Sequence, residues 1–428
     1  MPMSIVVGAQ WGDEGKGRFV DWLAQNCEIV ARFSGGDNAG HTIALGDEVY
    51  KMHLIPSGIL NPGTVAVMGN GMVINPVSML SEMERLRSQG VEISPENLIV
   101  SDRAHIITPA HIALDKLKEY QRGDESIGTT LKGIGPAYLD KIGRSGLRVS
   151  MMTDVEEFAE ELTKKLNQSN DILKAASQPL IDVEAAVAEY VDAAQQLRPY
   201  IQDTVAYFAG RLHEGARVVC EGAQGSLLDV DFGSYPFVTS SNPTAGGAIT
   251  GLGVGPTHVR QVLGVAKAFN TRVGGGPMPT ELDGELGDRL RGTGEQFWDE
   301  FGTTTGRKRR CGWLDAVILR YSAAINGFTH LALTKLDILS GFEELKIAVA
   351  YEIDGQRVEY PPSTNTDLAK AVPIYETMPG WQEDVSGART PDDLPQAAKD
   401  YIQRISELCD VPVLAVGVGP ERSQVVAF

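Results

Sequence analysis

The chain has 428 residues, of which 43% are hydrophobic and 22% charged, a balance typical of a globular protein with a large core. Its net charge of −18 and pI of about 4.9 exclude a general attraction for nucleic acid or for an anionic membrane. The chain contains no run near the roughly 20 apolar residues of a membrane helix, and its first residues lack the basic region of a signal peptide. The widely spaced cysteines favour reduced thiols in a cytoplasmic protein over a disulfide or zinc site; they are Cys27, Cys220, Cys311 and Cys409.

Short apolar runs followed by glycine or polar residues recur along the chain, at 4–7, 217–220, 331–334 and 411–416. Such runs are typical of buried parallel strands with functional loops at their carboxyl ends. Residues 16–25 are predicted to form a helix, 153–215 to form three helices, and 345–360 to form a hairpin that turns at Asp354-Gly355. We therefore expect a single α/β domain over 1–428, built around a large, mostly parallel sheet with helical and hairpin insertions.

The first glycine-rich segment, GAQWGDEGKGR at 8–18, lies between the first predicted strand and the first predicted helix. A glycine turn with a lysine at a helix N-terminus is typical of a phosphate-binding loop. The segment is not a Walker A motif, because Gln10 and Gly17 stand where that motif needs glycine and Ser or Thr. Asp13 is a candidate to replace the missing hydroxyl as a Mg²⁺ ligand. A glycine turn that serves packing alone is the alternative.

A second glycine-rich segment, GGDNAGHT at 35–42, combines small residues with two polar side chains. Asn38 offers amide donors and an acceptor, and His41 adds a titratable group. A single histidine is more often structural than catalytic, but the surrounding glycines favour a functional role for His41. The remaining histidines are predicted to be structural; they are His53, His105, His111, His213, His258 and His330.

These segments resemble the signatures of the adenylosuccinate synthetase family, in which WGDEGKG (11–17) is followed by NAGHT (38–42). The similarity continues in family order through HLIPSG (53–58), IGTT (127–130), GIGPAY (133–138), EGAQG (221–225), YPFVTSSN (235–242), TTGR (304–307), GWLD (312–315), TKLD (334–337) and YETMPGW (375–381). It spans nearly the whole chain and implies the family fold, one α/β domain around a large, mostly parallel sheet.

The resemblance implies a two-step ligation in purine and AMP biosynthesis. GTP phosphorylates the 6-oxygen of IMP, and the amine of L-aspartate then displaces phosphate. Asp13 is implied as the base that takes the N1 proton of IMP and as a Mg²⁺ ligand, and Gly40 as a second ligand through its carbonyl. His41 is implied as the group that donates toward the transferring phosphate oxygen.

GTP, the co-substrate, is expected to contact five parts of the chain. The resemblance places its triphosphate on Gly12, Asp13, Glu14, Gly15, Lys16, Gly17 and Arg18, with Gly40, His41, Thr42 and Arg309. An aspartate such as Asp337 can accept from N1–H and the 2-amino group of guanine, which favours GTP over ATP, although KxD alone is also typical of a strand-end salt bridge. The guanine pocket is completed by Lys335, Leu336, Gly417, Val418 and Gly419. The family usually has a hydroxyl residue near position 417, so backbone contacts are expected to replace it.

The basic cluster 307–310 follows three threonines. Such a run is commonly a solvated face or a nucleic-acid patch, but arginines also bind carboxylates bidentately, and the acidic net charge argues against nucleic acid. The resemblance implies an L-aspartate loop that closes on its ligand and contains Thr303, Thr304, Thr305, Gly306, Arg307 and Lys308, with Arg307 also at IMP. Further substrate contacts are implied for Asn38, Ala39, Thr130, Gln224, Thr239 and Arg144. The family takes the arginine at position 144 from the neighbouring subunit, which implies a homodimer.

Two alternatives remain open on the sequence. A related enzyme makes a 2-aminoadenine precursor from dGMP, and its members often carry a small residue at the position of Asp13. Retention of that carboxylate favours IMP, because the 2-amino group of guanine would crowd it. A GTP-binding regulatory switch would suit the phosphate loop and KxD, but it gives no reason for His41, Gln224 and Thr239 to occur together.

Overall fold

The computed structural model describes residues 3–46, 48–123, 126–302 and 306–428. Thr303, Thr304 and Thr305 of the expected aspartate loop therefore lie outside the described residues. The strands in chain order are β1 (Met3–Gly8), β2 (Ile29–Arg32), β3 (His41–Leu45), β4 (Glu48–Met52), β5 (Val65–Met68), β6 (Val73–Ile74), β7 (Leu98–Ser101), β8 (His105–Ile106), β9 (Ile201–Gln202), β10 (Val218–Glu221), β11 (Val259–Lys267), β12 (Asn270–Arg272), β13 (Arg310–Gly312), β14 (Leu314–Asp315), β15 (His330–Thr334), β16 (Glu344–Ile353), β17 (Gln356–Val358), β18 (Val372–Pro379), β19 (Val413–Gly417) and β20 (Val425–Ala427).

Helices fill most connections between these strands. The α-helices are α1 (Lys16–Ala24), α2 (Pro76–Ser88), α3 (Pro109–Arg122), α4 (Ile134–Gly143), α5 (Val155–Ala175), α6 (Val183–Leu197), α7 (Thr204–His213), α8 (Ala245–Leu252), α9 (Gly284–Arg291), α10 (Ala316–Asn326), α11 (Asn365–Leu368) and α12 (Gln396–Cys409). Two of the short 3₁₀ turns bear on the site and lie at Ser57–Leu60 and Ser226–Leu228. Within the described ranges no helix has the length and apolar character needed to cross a bilayer.

The central sheet has ten strands in the order β20-β19-β15-β11-β1-β10-β2-β5-β7-β9. Every neighbouring pair is parallel except β19–β20, which is antiparallel. Residues 3–8 occupy the middle of the sheet, and residues from the last part of the chain form its β20 edge. The loops after β1, β2, β10, β11, β15 and β19 therefore emerge at one carboxyl edge, where ligands bind in open α/β sheets.

Alternating residues of β1 anchor the two faces of this sheet. Ile5 and Val7 point into the main hydrophobic cluster, which includes Phe269 from the connection between β11 and β12. Val6 points the other way, onto Phe19 and Val20 of α1. Both faces are covered, which explains why the strand is a continuous apolar run instead of an alternating one.

The sequence predictions for these elements are confirmed. The four apolar runs lie in or overlap β1, β10, β15 and β19, and the predicted first helix is α1. The 153–215 region contains the three helices α5, α6 and α7. The predicted hairpin is the pair β16–β17, turning at Asp354-Gly355, and it belongs to a small separate sheet with β14 and β18.

Asp315 joins that small sheet to the main body and carries a buried carboxyl group. Its Oδ1 caps α10 by accepting from the backbone N–H of Val317 and Ile318, at 3.1 and 3.3 Å, and its Oδ2 accepts from the hydroxyl of Tyr351. Burial raises the pKa of Asp315 to about 7, although these donors favour the charged form. The folded protein therefore binds a proton here more tightly than the unfolded chain does.

Asp315→Asn should remove a pH dependence of stability. With a folded pKa above the ordinary 3.8, this carboxyl contributes stability at low pH that is lost as the pH rises to about 7. Asparagine keeps the capping oxygen and does not titrate. The melting temperature of the variant relative to wild type should therefore rise between about pH 4 and about pH 7. A difference that stays constant across that range would contradict a raised pKa at this position.

Candidate active site

A large cavity of about 1140 Å³ opens at the carboxyl edge of the central sheet. Its volume is above the range of about 300–1,000 Å³ usual for single small ligands, so it has room for more than one. The predicted site residues that line it are Gly12, Asp13, Gly15, Lys16, Gly17, Arg18, Asn38, Ala39, Gly40, His41, Thr42, Thr130, Gln224, Thr239, Arg307, Arg309, Lys335, Asp337 and Gly419.

Other predicted site residues do not line this cavity in the described part of the chain. Glu14 is fully buried beneath the first loop, and Leu336 and Val418 are buried in the core. Gly417 lies behind Arg18, while Gly306 and Lys308 are exposed. Arg144 is exposed at the C-terminal end of α4.

The first glycine loop is held by side chains that bind its carbonyl oxygens. Ser226 Oγ donates to Gly8 O at 2.7 Å, and Ser322 Oγ to Ala9 O at 2.8 Å. Thr334 Oγ1, at the end of β15, donates to the carbonyl oxygen of Glu14 at 2.6 Å. These bonds fix the loop from three separate elements, and the N-terminus of α1 follows it, as an anion-binding site requires.

The buried carboxylate of Glu14 supports the loop from below. Its Oε1 accepts from the N–H of Gly12 at 2.8 Å, and its Oε2 pairs with Lys16 Nζ at 2.6 Å. The loop passes so close to Gly225 that a Cβ there would lie 2.4 Å from Gln10 O, which explains the glycine. Glu14 thus serves the loop as a support, and it positions the lysine expected at the phosphates.

Several candidate residues have left-handed backbone conformations that are uncommon for side chains other than glycine. Asp13 has φ 58°, Gln224 φ 58°, Lys335 φ 66° and Arg144 φ 61°. Such conformations cost energy and cluster where a side chain must be aimed at a ligand. The Oε1 atom of Gln224 is also buried without a hydrogen-bond partner among the described residues, so an acceptor is available to a ligand.

His41 begins β3 and is fixed by a buried carboxylate across the cavity floor. Its Nδ1 pairs with Oε1 of Glu221, the last residue of β10. The backbone N–H and the hydroxyl of Ser57 also donate to Glu221, each at 2.7 Å. Burial tends to raise the pKa of Glu221, but His41 and Arg32 lower it below its usual range. The histidine is therefore oriented by an ionised carboxylate, and Nε2 is left for a ligand.

Asp13 projects from the first loop and is paired with Arg309. The Nε of Arg309 lies 2.9 Å from Asp13 Oδ2. Burial tends to raise the pKa of Asp13, but Arg309, Lys267 and Lys16 lower it below the ordinary 3.8. In this arrangement the carboxylate is a weak base, and its charge is neutralised by the guanidinium.

The carboxylate of Glu300 contacts three cationic side chains beside the Asp13–Arg309 pair. Its Oε2 lies 2.5 Å from both Lys267 Nζ and Arg309 Nη1, and its Oε1 lies 3.3 Å from Lys335 Nζ. Only 1% of the Glu300 side chain is exposed. Burial tends to raise its pKa, but Lys267, Lys335 and Arg309 hold it far below the usual range. One carboxylate thus connects the arginine on Asp13 with the lysine of the TKLD segment.

The glycine segment 127–133 on the other wall is held by two carboxylates of α3. Glu119 accepts from the N–H of Gly128 at 2.8 Å, and Asp115 accepts from the N–H of Gly133 at 3.0 Å. Arg307 donates to the carbonyl of Gly128 at 2.9 Å. The expected aspartate loop therefore already contacts the segment that carries Thr130.

Sequence reasoning assigned no role to Glu221, Glu300, Lys267, Glu119 or Asp115, although each positions a candidate residue. Glu221 ends an apolar run immediately before a glycine motif, and a buried acid at a strand end is a signal that could have been used. Glu300 gave no comparable signal, because it lies among other acidic residues in EQFWDEFG. Lys267 ends β11, a strand that was not among the four predicted from apolar runs, so its position at the edge of the sheet was not expected.

Comparisons with known proteins agree with one another. The adenylosuccinate synthetase family model matches residues 5–426. The chain is 49% identical to the adenylosuccinate synthetase of Streptococcus gordonii over 425 residues, which cover 99% of this chain and 97% of that protein. The solved structure of fully ligated adenylosuccinate synthetase from Plasmodium falciparum has a TM-score of 0.95 and 38% identity, covering 100% of both chains.

A more distant solved structure is the cyanophage S-2L succinoaminodeoxyadenylate synthetase bound to dGMP and dATP. It has a TM-score of 0.61 at 18% identity and covers 100% of this chain and 95% of its own. At that identity the likeness concerns the fold alone.

Glu300→Gln should destabilise the protein, because it leaves Lys267, Arg309 and Lys335 without their shared anion. Breaking a buried ion pair by removing one partner costs about 3–5 kcal/mol. Urea unfolding of the variant should show a loss of that order. Glu295→Gln, in the same segment but exposed, is the matched control and should change stability by no more than about 0.5 kcal/mol. Equal stability of the two variants would refute the role given to Glu300.

Proposed function

Because the chain belongs to the adenylosuccinate synthetase family, we propose that its cavity binds GTP, IMP and L-aspartate together and that the residues lining it carry out the ligation. The enzyme joins L-aspartate to IMP at the expense of GTP, through 6-phosphoryl-IMP, and forms adenylosuccinate, GDP and phosphate. The observation that best supports the site assignment is that Asp13, His41, Arg309 and Asp337 line one cavity at the carboxyl edge of the sheet.

In the first step, Asp13 would take the N1 proton of IMP, which makes the 6-oxygen nucleophilic. A carboxylate paired with a guanidinium is a poor base, so the Asp13–Arg309 contact must open first. The phosphates of GTP would compete for Arg309, since arginine binds phosphate oxygens bidentately. Arrival of the nucleotide would then both release the base and place a cation on the transferring group.

His41 would donate from Nε2 to an oxygen of the transferring γ-phosphoryl group. Glu221 would stabilise the imidazolium and fix the ring orientation, as a buried carboxylate does for a catalytic histidine. The transition state of phosphoryl transfer spreads charge over the equatorial oxygens, so a positioned donor lowers the barrier. In the second step, Arg307 would bind a carboxylate of L-aspartate. The amine of this L-aspartate would attack C6 of 6-phosphoryl-IMP and displace phosphate.

The donors in the cavity fit Mg²⁺. No group of three or more His, Cys, Asp and Glu side chains within the described ranges forms a metal site. Mg²⁺ typically takes only one or two carboxylates and fills its remaining positions with substrate phosphates and water. Asp13 and the carbonyl of Gly40, both at the cavity, would hold the ion. When bound, it would offset charge on the γ-phosphoryl group.

The homodimer proposal is supported by the position of Arg144 and by an apolar surface beside it. Arg144 is exposed at the end of α4 and does not line the cavity of its own chain. On the same helix, Leu139 and Ile142 are 61% and 77% exposed. An exposed apolar cluster next to an active site commonly marks an interface. A second copy docked there would bring its own Arg144 toward the phosphate of IMP.

We further propose that the chain acts as one catalytic domain in the cytoplasm. The central sheet contains strands from both ends of the chain, so the site cannot form from one half. All four cysteines carry free thiols, which suits a reducing compartment.

Purified enzyme should form adenylosuccinate from GTP, IMP and L-aspartate in the presence of Mg²⁺. The absorbance of adenylosuccinate measures the rate of this reaction. Asp13→Ala should lower kcat by about 10²–10⁴, the usual contribution of a general base, while the Kd for GTP changes only a few fold. Asp13→Asn is the isosteric control and should be similarly impaired. Full activity in either variant would remove Asp13 from its role. Faster turnover with dGMP than with IMP would redirect the substrate assignment.

Mixing Arg144→Leu and Asp13→Ala subunits should restore activity that neither variant has alone. In a heterodimer with shared sites, one site receives both substitutions and the other receives neither. Purified heterodimers should therefore approach half the activity of the wild-type dimer. Rescue is the expected result at equal protein concentration. Inactive heterodimers of confirmed composition would show that Arg144 serves its own subunit or no site.

A further inference from the structure

Arg18, in the first turn of α1, is aimed at the end of the cavity formed by the loops after β15 and β19. Both Arg18 and Asp337 line the cavity there. A Cβ added to Gly417, the last residue of β19, would lie 2.6 Å from Arg18 Nη1. The guanidinium therefore occupies the space that a side chain at position 417 would fill.

The guanidinium of Arg18 has unused donors. Among the described residues it makes no hydrogen bond and no ion pair within 4.0 Å, whereas Arg309 is paired with Asp13 and Arg422 with Asp21. Burial lowers the pKa of Arg18 to about 10, and the charge of Asp337 opposes that shift. The two groups thus lie close enough to interact, yet they leave a gap between them.

Guanine needs both a carboxylate and a donor. Its N1–H and 2-amino group donate, which suits Asp337, while O6 and N7 accept. An arginine fork on O6 and N7 is the commonest specific side-chain contact to guanine in nucleic-acid complexes. Adenine presents an amino group at C6, to which a guanidinium cannot donate. A carboxylate and a free guanidinium at one end of the cavity therefore complement guanine on two edges.

We propose that Arg18 is a specificity residue for the guanine base of GTP and donates to O6 and N7. The proposal rests on the GTP site proposed above and changes two expectations from the sequence. Arg18 serves the base and not the triphosphate, and a side-chain donor takes the place that backbone contacts alone were expected to fill at Gly417.

The test is a double-mutant cycle in which one change is Arg18→Met and the other is a GTP analogue altered at one hydrogen-bond acceptor of the base. 6-Thio-GTP weakens the acceptor at position 6 and keeps N1–H, while 7-deaza-GTP removes N7. Arg18→Met should lower kcat/KM for GTP by about 10- to 100-fold, the range of one bidentate guanine contact. The wild-type enzyme should have a lower kcat/KM with at least one analogue than with GTP. The Arg18→Met variant should show little difference between that analogue and GTP, because the effects of altering two groups in contact are not additive.

Arg18→Lys keeps the charge without the fork and should fall between wild type and Arg18→Met. Arg217→Met, at an exposed arginine far from the cavity, is the control and should leave kcat/KM for every nucleotide unchanged. Thermal melting of each variant, together with the Kd for GDP and its analogues, separates lost recognition from lost folding.

Fully additive effects of Arg18→Met with both analogues would overturn the proposal and place Arg18 on the phosphates. An unchanged kcat/KM for GTP in Arg18→Met would also overturn it. Neither result would affect the ligase assignment, which fails only if wild-type enzyme forms no adenylosuccinate from GTP, IMP and L-aspartate.

Discussion

The buried carboxylate of Glu300 is the charge on which the cationic side of the active site depends. Three cations, Lys267, Arg309 and Lys335, meet there in a protein whose overall charge is −18. Burial lowers the pKa of Lys267 to about 8 even with Glu300 beside it, which shows how costly the cation would be without that partner. Because Arg309 also contacts Asp13, the proposed base and the TKLD segment share one electrostatic anchor. The site can therefore attract phosphates locally while the surface as a whole repels them.

The parallel sheet explains how residues so distant in sequence meet. β1 lies at its centre, and the loops after its neighbours all emerge at the same edge. That edge brings the glycine loop of residues 8–18 next to Glu221, Lys267 and Thr334, which end three different strands. Thr334 then bonds directly to the loop backbone, so the strand that leads to Asp337 also fixes the phosphate loop. The distance between the proposed phosphate and guanine ends of the cavity is thus set by strand spacing and not by flexible side chains.

Much of this arrangement could be predicted from the sequence, and the missing part has a physical cause. Glycine loops and apolar runs are local patterns, and they located the first glycine loop, the His41 segment and the main strands. The supporting carboxylates are not local. Glu221 is 180 residues from the histidine it orients, and Glu300 contacts Lys267 across 33 residues. Glu221 at least ends an apolar run, but Glu300 resembles any surface charge in the sequence, and only burial distinguishes it. The resemblance to a family likewise supplied roles for ligand contacts but none for the groups that hold those contacts in place.

The ion pair between Asp13 and Arg309 suggests why the proposed mechanism tolerates a base that is weak at rest. Without a cationic partner, burial would raise the pKa of Asp13 and favour its protonated form. Held by Arg309, with its pKa lowered, it stays ionised and neutralised until an anion competes for the guanidinium. Phosphate oxygens bind such a fork bidentately, and in the proposed complex GTP would bring three phosphates to the adjoining loop. Basicity at Asp13 would then appear only when the phosphoryl donor is in place, so deprotonation of IMP and transfer to its 6-oxygen are coupled through a single arginine.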